Sequence, residues 1–128
     1  MSKISAPILF SATADADASL EFYRDKLGLE LVSNLPFALV FDIDGVMLRV
    51  QKVEHVTPPA YTALGFAVDD LSASLLELAD KGVIGERYEF MEQDELGIWK
   101  TPDGAQVAWL KDPDGNTVSL TQHPGPSR

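Results

Sequence analysis

With 128 residues and 45% hydrophobic content, the chain has apolar surface for one substantial core and little for two independent ones. It contains no cysteine, which excludes disulfides, thiolate nucleophiles and every zinc site that needs Cys, and fits a reducing compartment. The formal charge of −10, from 20 acidic against 10 basic residues, argues against nucleic acid and anionic membranes, which need clustered positive charge.

Cationic or neutral small partners suit this balance better, although an acidic surface also serves solubility alone. Met1 to Pro7 has no long apolar run, and no segment approaches the roughly 18 apolar residues of a membrane span. A soluble, cytoplasmic protein without membrane association is therefore expected.

Ile4 to Thr13 reads as a strand, and Asp15 to Asp17 supplies N-cap oxygens for a helix running to about Lys26. Leu20, Phe22, Tyr23 and Leu27 form its buried stripe, and Gly28 is its left-handed cap. Three strands follow, over Leu29 to Ser33, Phe37 to Asp42 and Val46 to Gln51. Residues 53–60, with Pro58 and Pro59, form a stiff connector between module one (4–52) and module two (61–122) of a single domain. In module two, Tyr61 to Val68 reads as a strand, and Asp69 and Asp70 cap a helix carrying Leu71, Leu75, Leu76 and Leu78 on its apolar side. Val83 to Phe90 is a predicted strand, Met91 to Leu96 an acidic loop, and Gly97 to Thr101 a short strand or extended segment. Ala105 to Leu110 and Thr117 to Gln122 are the last strands, joined by the turn Asp112-Pro113-Asp114-Gly115-Asn116. The tail, 123–128, is expected to fray from Pro124.

The second module repeats the first. At an offset of 55, six of the twelve residues from Asp15 to Lys26 are identical to their counterparts from Asp70 to Lys81. At an offset of 70, Asp44-Gly45 meets Asp114-Gly115, Leu48 meets Val118 and Val50 meets Leu120.

Two β-α-β-β-β modules, with Ser-Leu-Glu-Phe-Tyr-Arg-Asp-Lys-Leu-Gly-Leu (19–29) after the first strand and Asp-Pro-Asp-Gly-Asn before the last, resemble the vicinal oxygen chelate superfamily. This is the glyoxalase, bleomycin-resistance protein and extradiol dioxygenase group. The resemblance implies an α+β fold in which two βαβββ modules pair into curved mixed sheets around a concave cleft, and a homodimer. It also implies four metal-ligand positions, which fall here on Ile8, Arg49, Ala63 and Ser119. Ile and Ala have no donor atom, Ser is a weak ligand and Arg repels a cation. No metal and no cofactor are therefore expected.

Strand alternation places Met47, Arg49 and Gln51 on one face, opposite Leu48 and Val50, and opposes Thr117, Ser119 and Thr121 to Val118 and Leu120. The polar sets are the candidate ligand-binding surface, joined by Phe10, which shares the parity of Ile8. Arg49 suits a carboxylate or phosphate, its alternatives being an ion pair with a nearby acid or a strand-edge position in water. Trp99 and Trp109, with Glu89, Glu92, Asp94 and Glu95, suit a flat or cationic compound. Trp109, between Ala108 and Leu110, has the pattern of a core or dimer-contact residue, and Phe37, Phe41 and Phe90 have that of core residues. His55 and His123 occupy no ligand position, and Asp112 and Asp114 read as turn-capping carboxylates.

These residues point to a metal-independent small-molecule-binding protein, similar to the antibiotic- or toxic-compound-sequestering branch of the superfamily. Two alternatives stand beside it. One is a lyase, isomerase or dioxygenase-type enzyme using Arg49 as an oxyanion clamp or displaced ligands such as Glu54 and His55. The other is an association module whose concave face is filled by Phe10, Met47 and Trp109.

Overall fold

A computed structural model describes residues 3–125; the end of the tail expected to fray, 126–128, lies outside the described residues. The chain divides between Thr57 and Pro58 into two compact units, each with its own four-stranded mixed sheet. The α+β reading as two βαβββ modules is correct.

The first unit contains β1 (Ile8–Thr13), α1 (Ala16–Leu20), β2 (Glu30–Leu35), β3 (Ala38–Ile43) and β4 (Val46–Lys52). Its sheet order is β1-β4-β3-β2, with β1 parallel to β4 and the other pairs antiparallel. Residues 4–7 do not join β1, and Ile4 is fully exposed. Asp15 caps α1 by accepting the Ala18 N–H at 3.1 Å. The helix then widens into a π-helical segment, Glu21–Lys26, where the Leu27 N–H donates to the Phe22 carbonyl at 2.9 Å. Phe22 and Tyr23 are buried, and the Tyr23 ring lies 5.9 Å from that of Phe41. The helical segment thus covers the sheet face carrying Leu39, Phe41, Leu48 and Val50, all fully buried and each worth about 1.5–3 kcal/mol in burial. Asp44 and Gly45, with φ of 51° and 89°, make the two-residue hairpin turn between β3 and β4.

The second unit contains β5 (Thr62–Ala67), α2 (Leu71–Asp80), β6 (Trp99–Lys100), β7 (Gln106–Lys111) and β8 (Thr117–Gln122). Its order is β5-β8-β7-β6, again with the first and last strands parallel. The repeat extends to the caps, because Asp70 accepts the Ala73 N–H at 3.1 Å as Asp15 does that of Ala18. Leu71, Leu75 and Leu78 are buried, but Leu76 is 56% exposed, since it falls outside the stripe made by the other three.

Residues 83–90 do not form the predicted strand. Much of their backbone hydrogen bonding goes to one side chain: the Gln93 amide donates to the Glu86 carbonyl at 3.0 Å and its oxygen accepts the Tyr88 N–H at 2.8 Å. Only the Glu86 N–H reaches β7, at the Trp109 carbonyl, 2.7 Å away. Local side-chain partners have displaced a ladder. Module two completes its four strands through Trp99–Lys100 instead.

The turn before β8 is built on Asp112. This carboxylate is 4% exposed and accepts from the N–H groups of Asp114 (3.0 Å) and Asn116 (2.9 Å) and from the Asn116 side-chain amide (3.0 Å). Gly115 supplies the positive φ of 88°. Replacing Asp112 with Ala leaves these donors without acceptors and should lower unfolding free energy by about 2–3 kcal/mol in urea denaturation. Asp112→Asn, which keeps one acceptor, should cost less.

Candidate functional site

Strand register decides which side chains share a surface. In the first unit, Phe10 and Val40 are the register partners of Arg49, while Ile8 and Asp42 pair with Met47 and Ala38 pairs with Gln51. These residues lie on the face turned away from the helix. Ile8, Phe10 and Met47 are 48%, 52% and 39% exposed, and Arg49 is half-buried. The Arg49 guanidinium carbon stands 5.9 Å from the centre of the Phe37 ring, a contact of about 0.5–1 kcal/mol where water has access. Phe37 is thus an exposed partner of Arg49 and not the expected core residue. No carboxylate among the described residues pairs with Arg49, which removes the ion-pair alternative.

In the second unit, Gly65 and Trp109 are the register partners of Ser119, and Ala67 and Val107 those of Thr121. A Cβ at position 65 would lie 2.6 Å from the Ser119 Oγ, so glycine at that position leaves the hydroxyl its place. Thr117 shares the parity of Ser119 but is buried, and its hydroxyl oxygen accepts from the Lys111 Nζ at 2.6 Å.

Trp109 is half-buried on the Ser119 face, while its neighbours Ala108 and Leu110 are fully buried on the other. Of the two expectations for Trp109, core or dimer contact, this alternation corrects the first. The Tyr88 ring meets Trp109 edge-on at 5.6 Å, Trp99 lies 6.3 Å from Trp109 at an interplanar angle of 33°, and Phe90 lies 5.5 Å from Tyr88. Phe90 is 81% exposed, so it too leaves the expected core. A depression of about 390 Å³ beside this group is lined by Glu92, Gln93, Asp94, Ile98, Trp99 and Lys100. Tyr88 went unrecognised in the sequence because no periodicity marks a residue held by a loop.

The acidic loop is largely structural. The Asp94 carboxylate accepts the Leu96 and Ile98 N–H groups at 2.9 Å each, and Glu89, Glu92 and Glu95 are exposed. Burial raises the Tyr88 phenol above its ordinary pKa, and the Glu86 carboxylate adds to the rise. Glu54 and His55 are exposed on the connector. His123 lies near Asp103, whose carboxyl is held below its ordinary value chiefly by the Thr101 hydroxyl and the Ala105 N–H.

The donor chemistry does not suit a metal. Ile8 and Ala63 offer no donor, Arg49 is cationic and Ser119 is a weak ligand. Among the described residues, no three His, Asp or Glu side chains gather closely enough to hold an ion.

The sequence profile of the glyoxalase/bleomycin resistance protein/dioxygenase superfamily matches residues 8–120. The chain belongs to that superfamily. Among solved structures of this glyoxalase-like fold, the antibiotic-binding protein TnmS3 from Streptomyces sp. CB03234 is similar at 23% identity and a TM-score of 0.75, covering 99% of both chains. Lactoylglutathione lyase from Agrobacterium tumefaciens is similar at 23% identity and a TM-score of 0.69, over 94% of this chain and 96% of that one. A glyoxalase/bleomycin resistance protein/dioxygenase from Nocardioides is similar at 21% identity and a TM-score of 0.68, over 100% and 92%. No protein of curated function matches the sequence. At these identities the similarity shows the fold, on which superfamily members carry different chemistries.

Two outcomes test the aromatic group. Gln93→Leu removes the side chain that ties Tyr88 to the loop, and should destabilise the protein by about 2 kcal/mol. The Tyr88 amide should then exchange hydrogen faster while the Asp112 turn stays protected. Ultraviolet titration should place the Tyr88 phenol above its ordinary midpoint, with Glu86→Gln recovering only the smaller part of the shift. Because the folded value is raised, Tyr88's contribution to stability is complete below the unfolded pKa and falls as pH rises through the folded one.

Proposed function

We propose that this superfamily member is a metal-independent, small-molecule-binding protein that takes a flat organic compound against a sheet face turned away from its helix. The observation that carries the reading is the group of Tyr88, Trp99 and Trp109 rings beside Ser119 and Thr121. Rings with accessible faces stack on flat ligands with little loss of rotamer freedom, and adjacent hydroxyls orient the ligand by hydrogen bonding. Arg49, Gln51, Phe10 and Met47 offer the corresponding surface in the first unit. The donor-poor residues at the family's ligand positions support metal independence, and sequestration of the bound compound is the role we assign. Similarity to an antibiotic-binding protein agrees with this reading.

A cytoplasmic homodimer completes the proposal. The cysteine-free composition suits a reducing compartment, and β1 is an edge strand whose unpaired backbone groups a second copy would extend.

Thermal-shift and tryptophan-fluorescence titrations with planar aromatic compounds, neutral, cationic and anionic, test the function. At least one class should raise Tm and quench emission, unchanged by EDTA, and Trp109→Ala should weaken it by roughly tenfold or more. If no compound stabilises the protein, the binding reading fails. Stoichiometric Zn, Ni, Mn or Fe in untagged protein would end its metal-independent part.

A further inference from the structure

We infer that Arg49 and Phe37 form a site for a carboxylate carried on an apolar or aromatic body, so that the bound compound is an organic acid. This rests on the small-molecule-binding reading and narrows it to a ligand class.

Arg49 is half-buried in the second strand from the sheet edge, with Phe10 and Val40 as register partners and Phe37 lying over its guanidinium. Among the described residues its N–H donors have no protein acceptor and are not buried, so a ligand carboxylate would replace water at their fixed fork. The chain has 20 acidic residues, yet among the described residues none forms an ion pair with Arg49. The acid nearest in register, Asp42, pairs with Met47, and its carboxylate accepts from the Gly45 N–H in the hairpin turn at 3.5 Å. Phe37 covers the guanidinium without taking its N–H donors, so the fork keeps its capacity for a planar, bidentate acceptor.

The charge on this face selects among anions. The other nearby cation, Lys52, has the opposite strand parity and donates its Nζ to the Asn34 side-chain oxygen at 2.6 Å. One guanidinium in a chain of net charge −10 matches a singly charged carboxylate better than a phosphate dianion. Ile8, Phe10 and Met47, each more than a third exposed beside it, suit an apolar body attached to that carboxylate.

Matched acid and amide pairs, naphthoate with naphthamide and indole acetate with indole acetamide, isolate the charge while keeping the ring. Calorimetric titration should show the acid of at least one pair binding tenfold or more tightly than its amide, with the Arg49 Nε–H resonance moving only for the acid. Arg49→Gln should abolish this preference, and Phe37→Leu should reduce acid affinity by a few-fold. Arg49→Lys, which keeps the charge without the fork, should retain part of the preference and controls for loss of folding. Equal binding of acid and amide, unchanged in Arg49→Gln, would overturn the organic-acid inference and leave the binding reading intact. Absence of binding by every member of both pairs would count against both.

Discussion

The closing strands of the two units, β4 and β8, lie between neighbours on both sides and each sends its apolar residues to a helix-covered face. Leu48 and Val50 in one, Val118 and Leu120 in the other, are almost completely removed from water. Because side chains alternate along a strand, burying these pairs sends Arg49 and Ser119 to the opposite face. A slip of one residue would bury the arginine and expose the leucines, at a cost of several kcal/mol. The candidate site is therefore a consequence of core formation.

The units use this shared frame differently. In the first, Phe10 stands beside Arg49, and the face combines one cation with apolar side chains. In the second, the equivalent neighbour of Ser119 is Gly65, whose missing Cβ makes room for the hydroxyl, and the aromatic side chains come from β6, β7 and the 83–98 loop. The extra length of the second copy falls in that loop. Gln93 holds its Tyr88 portion by taking hydrogen bonds that a strand would otherwise have supplied. The two copies of the repeat thus share a frame and differ in the chemistry they expose.

All eight strands, both helix starts and the turn before β8 were legible because each has a local physical cause: alternation, an Asp N-cap, or a Gly able to take positive φ. The face assignments of Met47, Arg49, Gln51 and Ser119 followed from the same parity. Reading Val83 to Phe90 as a strand failed because composition does not reveal that a glutamine ten residues beyond Val83 supplies the backbone partners. Phe37, Phe90 and Leu76 were misplaced for a related reason: hydrophobicity favours burial but does not specify which apolar residue a curved surface leaves outside.

The sequence by itself determined the repeated βαβββ plan, since that depends on residue type and short-range spacing. Only the tertiary structure decided that Arg49 stands against Phe37 without an acidic partner, and that Tyr88, Trp99 and Trp109 meet on one face. Those facts depend on strands brought together across the chain, where register and loop closure set distances that spacing along the sequence does not contain.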